Sequence, residues 1–268
     1  MDPGFGWNNA ENSLNGEGTY IAKHKAVRID VKAMSAKDLK DDDGANGSAA
    51  QVPADFRISE IKGLNNLKVT RFYPRNSVLF VEGQRSRGVH VLRSGRVKVS
   101  ITSAEGKTLV LMVAQAVDLL GINATLTGRP YGATAETLEP CRIDFISRES
   151  RLKLLKQDEK ACLAVARVLS RKLSGVVDHS RLLFLSRSAS EKLARLLVRW
   201  CDEGGKPTAH GIRINLGLTH EELAQMICTS RETVTRLLAD LKRKQVVSLS
   251  DNAIFIRNRK ALELAARS

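Results

Sequence analysis

No stretch of the 268-residue chain approaches the roughly 18 consecutive apolar residues that a membrane-spanning helix needs. Its first residues, MDPGFGWNNAENS, lack the basic segment and apolar run of a secretory signal. Cysteine is scarce: Cys141, Cys162, Cys201 and Cys228 lie far apart, with no C-x-x-C pair. That spacing excludes a zinc ribbon or a dense disulfide framework and fits a reduced cytoplasm. Acidic residues are also in deficit, 29 against 43 Lys and Arg, for a formal charge of +14. Such an excess points to a polyanionic partner, with nucleic acid ahead of a membrane surface. What is present is enough apolar material, 43% of the residues, to build sizeable cores.

The charge divides the chain. Residues 1–55 hold 6 basic and 9 acidic residues, with the acidic run Asp41-Asp42-Asp43 and the stretch GANGSAAQVPAD. Little there can bury a core, so the expectation is a disordered amino-terminal arm, with a short strand within 21–33. Residues 56–185 carry a net +11 and residues 186–268 a net +6.

Between Arg71 and Ile146 short runs alternate apolar and polar residues, as in SVLFVEG, GVHVLRSGRVKVSIT and GKTLVLMV. Period two with β-branched residues marks half-buried strands. Ser94-Gly95 and Glu105-Gly106 read as hairpin turns. Many short strands at this spacing predict an antiparallel barrel or roll over 56–160. The period then changes. Cys162, Ala166, Leu169, Leu173, Val176, Ser180 and Leu183 recur in steps of 4 and 3, a heptad seam over the helix 161–185. A stripe this narrow favours pairing with a second copy of itself over burial within the chain.

The carboxy-terminal segment, 186–268, opens on the helix SASEKLARLLVRWCDEGG, stopped by Gly204-Gly205, and continues with the strand-like GIRINLGL. Thr219 with Glu222 is a capping box, and Leu223, Ala224 and Ile227 form the apolar face of a short helix. Thr229 with Glu232 repeats the capping pattern, and Val234, Leu237, Leu238 and Leu241 line a second helix. Two capped helices joined by a very short turn describe a helix-turn-helix, whose second helix enters a major groove by its amino-terminal end. QVVSLSDNAIFIRN supplies a hairpin wing turning at Ser250-Asp251-Asn252. Arginine can donate two parallel bonds to guanine and glutamate can accept from the cytosine amino group. Thr219, Thr229, Ser230 and Thr235 stand where hydroxyls meet phosphate. The whole is an α+β chain: a jelly-roll type antiparallel β-roll, a long dimerisation helix and a winged helix-turn-helix.

SRETVTRLL (230–238) resembles the recognition helix of the CRP/FNR superfamily of transcription regulators. The resemblance runs in consistent order over 56–262. FYPRNSVLFVEGQRSRGVHVLRSGRVKVSI is similar to the family's β-roll, VDLLG (117–121) to the approach to its effector pocket, and FLSRSASEKLARLL (184–197) to its hinge. It implies that Arg231, Glu232 and Arg236 read bases in a TGTGA-type half-site of an inverted repeat. It also implies a homodimer through Ala166, Leu169, Leu173, Val176, Ser180 and Leu183, with RNA polymerase as a further partner of an activator. Many relatives have glycine in the turn where this chain has Cys228.

The implied effector positions are Gly121, Ile122, Asn123, Arg129, Tyr131 and Gly132. There the chain departs from cAMP-binding members: Ile122 stands in place of the ribose-binding glutamate, and Tyr131-Gly132 fall near the phosphate-binding Arg-Ser pair. Losing those charge-assisted bonds, worth about 1.5–3 kcal/mol each, argues against tight cAMP binding. No cysteine precedes Cys141, which argues against an iron–sulfur cluster, and haem would need His24, His90 or His179 as a lone axial ligand. No metal site is expected, and the effector is left unknown. Two alternatives stay open: a constitutive regulator whose β-roll senses nothing, and a cupin-like enzyme with a DNA-binding tail, for which the strands offer only His90.

Overall fold

The computed structural model describes residues 19–22, 25–28, 68–150, 159–215, 217–250 and 253–267. Strands β1 (Thr19–Ala22) and β2 (Lys25–Arg28) pair antiparallel, so the stretch expected as an unstructured arm contains a hairpin. The other residues before Lys68 lie outside the described residues, His24 among them.

Two four-stranded antiparallel sheets form the β-roll. One has the order β3 (Lys68–Tyr73), β10 (Cys141–Ser147), β5 (Gly88–Ser94), β8 (Leu119–Leu120). The other has the order β4 (Val78–Phe80), β9 (Thr134–Thr137), β6 (Val97–Thr102), β7 (Thr108–Ala114). Glu105-Gly106 lies in the connection between paired strands β6 and β7, as the sequence predicts. Ser94-Gly95 does something else. Strand β5 pairs with β10 and β8, whereas β6 pairs with β7 and β9, so this turn carries the chain from one sheet to the other. Gly95, at φ +90, is indispensable there, because a Cβ would lie 2.5 Å from the Cys141 sulfur.

One irregularity in β7 matters for the rest of the molecule. Val99 faces Met112 and Ser100 faces Val110, which leaves Leu111 as an extra residue. A bulge of this kind flips the side-chain parity. Met112 and Ala114 therefore join the roll core with Phe80, Leu92 and Ile143, while Val110 and Val113 turn to the opposite side. There Val110 is fully buried among Leu193, Leu197, Leu223 and Ile227 of the carboxy-terminal domain.

Helix α1 (Ile122–Thr127) lies between two left-handed glycines, Gly121 and Gly128. Helix α2 runs from Glu159 to Leu185. Ala161, Val165 and Val168 bury one side of it against Val89, Val91 and Ile122 of the roll. Near its other end Leu182 enters the carboxy-terminal core. That core is built from α3 (Ala189–Gly204), α4 (His220–Ile227), α5 (Arg231–Arg243), α6 (Arg259–Ala265) and a sheet. The sheet has the order β11 (Lys206–Thr208), β12 (Gly211–Asn215), β14 (Ala253–Ile256), β13 (Val247–Ser250), the last two forming the expected wing. No helix among the described residues is long and apolar enough to cross a membrane.

Candidate nucleic-acid interface

Helix α4 starts as its sequence predicts. The Thr219 hydroxyl accepts from Glu222 N–H, and Glu222 Oε2 accepts from Thr219 N–H at 2.9 Å. The helix ends on Cys228, at φ 52 and ψ 55, so a side chain occupies the left-handed turn that glycine would fill without strain. Thr229 N–H then bonds Ala224 O, and this closing bond moves the next start by one residue. The cap of α5 is therefore Ser230, whose hydroxyl accepts from Thr233 N–H at 3.2 Å, and not the Thr229–Glu232 box expected from the sequence. Val234 and Leu238 are fully buried beneath α5, with Leu237 and Leu241 half-buried beside them.

Arg231, Glu232, Thr235 and Arg236 consequently stand exposed on the first two turns of α5. Hydrogen bonds from its own backbone N–H and from Ser230 hold the Glu232 carboxyl below its usual range, so the ionised group can only accept hydrogen bonds. Of the hydroxyls expected to meet phosphate, those of Thr219, Ser230 and Thr235 are engaged with local partners. Thr219 donates to Glu222 at 3.1 Å, and Thr235 donates to Arg231 O at 2.9 Å. Thr235 thus has a lone pair for His220 Nδ1, 2.9 Å away, and the imidazole ties α4 to α5. His220 was not legible as a site residue: its contact joins residues 15 apart across the turn.

The effector positions part company. Asn123, Arg129 and Gly132 are exposed, Gly121 is half-buried against the Tyr131 ring, and Ile122 and Tyr131 are buried in separate cores. Ile122 packs beneath α2 as a core residue. The Tyr131 ring stacks on Phe80 at a centroid distance of 4.1 Å and is 3% exposed. Its hydroxyl donates to Gly88 O at 2.8 Å, and a Cβ on Gly121 would lie 2.5 Å from the ring. The phenol therefore fills the space between Gly121 and β5. Sequence reasoning also missed Thr125, fully buried, which donates to Gly88 O or Gly121 O at 2.8 and 2.7 Å.

His90 lies between the rings of Phe80 and Phe145, its Nδ1 buried without a partner. Burial, with a smaller contribution from Arg71, pushes its pKa down to about 4. His179 is buried where α2 meets α3, 3.4 Å from the Arg199 guanidinium, and burial and that cation likewise lower it to about 4. Among the described residues no group of three or more His, Cys, Asp or Glu could hold a metal ion.

The roll and the reading head touch directly. Lys98 of β6 reaches Glu222 Oε1 at 2.7 Å and Glu136 at 3.3 Å. Burial alone would lower the Lys98 pKa, but the two carboxylates reverse this and raise it. Glu222 is held low, because bonds from Lys98 and Thr219 outweigh the effect of burial. Two residues before Lys98, Arg96 grips Glu139 with two nitrogens at 3.1 and 2.6 Å and donates to Asn215 O at 2.6 Å.

An antiparallel β-roll, a long helix and a winged helix-turn-helix with an exposed, capped second helix define a DNA-binding transcription regulator. Known proteins sharpen this. Residues 70–158 match the cyclic nucleotide-binding domain family, and residues 191–265 match the Crp-like helix-turn-helix domain. The anaerobic regulatory protein of Bacillus subtilis is 27% identical over 194 residues, 72% of this chain and 81% of that protein. The global nitrogen regulator of a Nostoc species is 29% identical over 192 residues, 70% of this chain and 85% of its own length. A CRP-family transcriptional regulator from Thermus thermophilus superposes with a TM-score of 0.63 at 25% identity, covering 74% of this chain and 96% of that one. The chain belongs to the CRP/FNR family of transcription regulators.

Proposed function

We infer that the protein acts in the cytoplasm as a homodimer that binds an inverted repeat of TGTGA-like half-sites, under an effector other than cAMP. The reading is carried by the exposed first turns of α5, where Arg231, Glu232 and Arg236 stand clear of the chain's own core. Thr219, Thr229, Ser230 and Thr235 turn to phosphate, the engaged hydroxyls exchanging their local acceptors for phosphate oxygen. Dimerisation uses the outer side of α2. Leu173 and Val176 are 66% and 60% exposed there, beside Ala166 and Ser180. Leu169 and Leu183 pack in part on this chain's own cores, so the exposed apolar stripe instead adds Leu163, Val177 and Phe184. If the regulator activates, RNA polymerase is its further partner.

Binding to duplexes with single-base changes tests the reading. Arg231→Ala or Arg236→Ala should each cost about 1–3 kcal/mol and relax one base position. Equal weakening on every sequence would reduce these arginines to phosphate contacts.

A second reading, constitutive DNA binding, is supported by the Tyr131 phenol occupying the interior position at which an effector would sit. Full operator binding by purified protein without any additive would favour it over control by an effector. Calorimetry with cAMP should show no micromolar binding under either reading.

A further inference from the structure

We propose that Lys98 is a positioning residue for DNA recognition, setting through Glu222 the angle at which the helix-turn-helix is held against the β-roll. The proposal rests on the reading of the chain as a dimeric binder of an inverted repeat. It starts from the two oxygens of one carboxylate. Glu222 Oε2 closes the capping box on Thr219, while Oε1 accepts from Lys98 at 2.7 Å. The start of α4 is thereby fastened to a residue 124 positions away on β6. Both side chains are only 14% exposed, so water screens the pair weakly.

Two further contacts fix the same face. Val110 and Val113, turned outward by the bulge at Leu111, enter the apolar core that α4 shares. Arg96 donates to Asn215 O, at the end of the strand that leads into α4. A hydrophobic contact alone permits sliding, whereas a charged bond to a cap and a second bond to the strand leading into it do not. Helix α4 in turn sets α5 through the tight Cys228 turn and the His220–Thr235 bond. Lys98 touches none of the base-reading side chains. Its effect is on where the reading head points, and therefore on how two heads of a dimer match two half-sites.

Removing the cation leaves Glu136 and Glu222 facing each other, because Lys98 bridges them at 3.3 and 2.7 Å. Two like charges that had shared one cation then repel each other across the contact, which should loosen the head on its seat. Half-site sequence should then survive while the rigid spacing between half-sites is lost.

The experiment is selection of bound duplexes from a randomised DNA pool by the full 268-residue chain, read by sequencing for half-site letters and for half-site spacing. The wild-type chain should enrich inverted repeats at one spacing. Lys98→Gln should enrich the same half-sites with the preference for that spacing over its neighbours reduced about threefold to tenfold. Glu222→Gln, whose amide oxygen still closes the capping box, should broaden the spacing in the same way. Lys98→Arg should restore the wild-type distribution. A merely structural lysine would lower the bound fraction without altering the spacing, so an unchanged distribution in both glutamine variants overturns the proposal. Failure of the wild-type chain to enrich any inverted repeat overturns the dimeric reading itself, a result distinct from an unchanged spacing.

Discussion

Replacing Tyr131 with alanine empties the interior position between Gly121 and β5. The phenol is 3% exposed and stacked on Phe80, so alanine leaves a cavity that the flanking strands cannot close without moving. Aromatic-to-alanine changes in such settings cost about 3–5 kcal/mol. Tyr131→Phe separates packing from hydrogen bonding. Two bonds are lost: the one from the hydroxyl to Gly88 O, an oxygen that Thr125 Oγ1 at 2.8 Å keeps satisfied, and a longer one that the hydroxyl accepts from Gly88 N–H at 3.3 Å. The phenylalanine variant should therefore cost about 1–2 kcal/mol, the carbonyl staying satisfied while the Gly88 N–H loses a long bond. Urea titrations at fixed protein concentration measure both, because the midpoint of the proposed dimer would shift with concentration. In a thermal scan the alanine variant should melt roughly 10 °C below the wild type. Added p-cresol, the missing fragment, should raise the alanine variant's midpoint and leave the wild type's unchanged, as a preformed apolar cavity binds a small aromatic. If alanine costs under about 1 kcal/mol, or as little as phenylalanine, the ring does not fill the pocket and the reasoning fails.

Cys228 is exposed and left-handed, so Cys228→Gly loses no burial and relieves strain. It should raise the unfolding free energy by about 0.5–1 kcal/mol, less than the full strain because glycine also loosens the unfolded chain; destabilisation in denaturant titration would contradict the strained turn. His90 and His179, both lowered to about 4 from 6.5, bind fewer protons folded than unfolded. Their contribution is fully present above pH 6.5 and declines as pH falls towards 4, by about 3 kcal/mol each. Urea midpoints between about pH 7 and 4 should show this decline, and His90→Leu should flatten part of it; a variant with the wild-type slope would exclude His90 as a source. If the proposed dimer forms through the exposed stripe of α2, Leu173→Glu should halve the sedimenting mass, whereas an unchanged mass would refute that contact.

What the sequence made legible is what depends on near neighbours. The Thr219–Glu222 cap, the apolar faces of α4 and α5 and the Glu105-Gly106 connection follow from spacings of a few residues. The Ser94-Gly95 turn misled because alternation reads the same whether the next strand pairs back or crosses to another sheet. The Thr229 cap misled by one position because the left-handed Cys228 turn decides where the helix starts. On α2, heptad spacing cannot say which leucines the chain's own cores take up in part, as they do Leu169 and Leu183 but not Leu173. The Tyr131 plug and the Lys98–Glu222 contact carry no local signal, since each joins residues that only the tertiary fold brings together.

Val110 gives the boundary expected at residue 186 a different meaning. A segment cut there would hold all the helices and strands of the reading head, yet its core would have an open socket where a valine from the roll had been completely enclosed. The carboxy-terminal region should therefore be less stable alone than in the whole chain. It should melt together with the roll in one cooperative transition, and expressed alone it should expose an adhesive apolar patch. Modularity of recognition and modularity of stability are separate properties in this chain, and a single bulged strand is where they diverge.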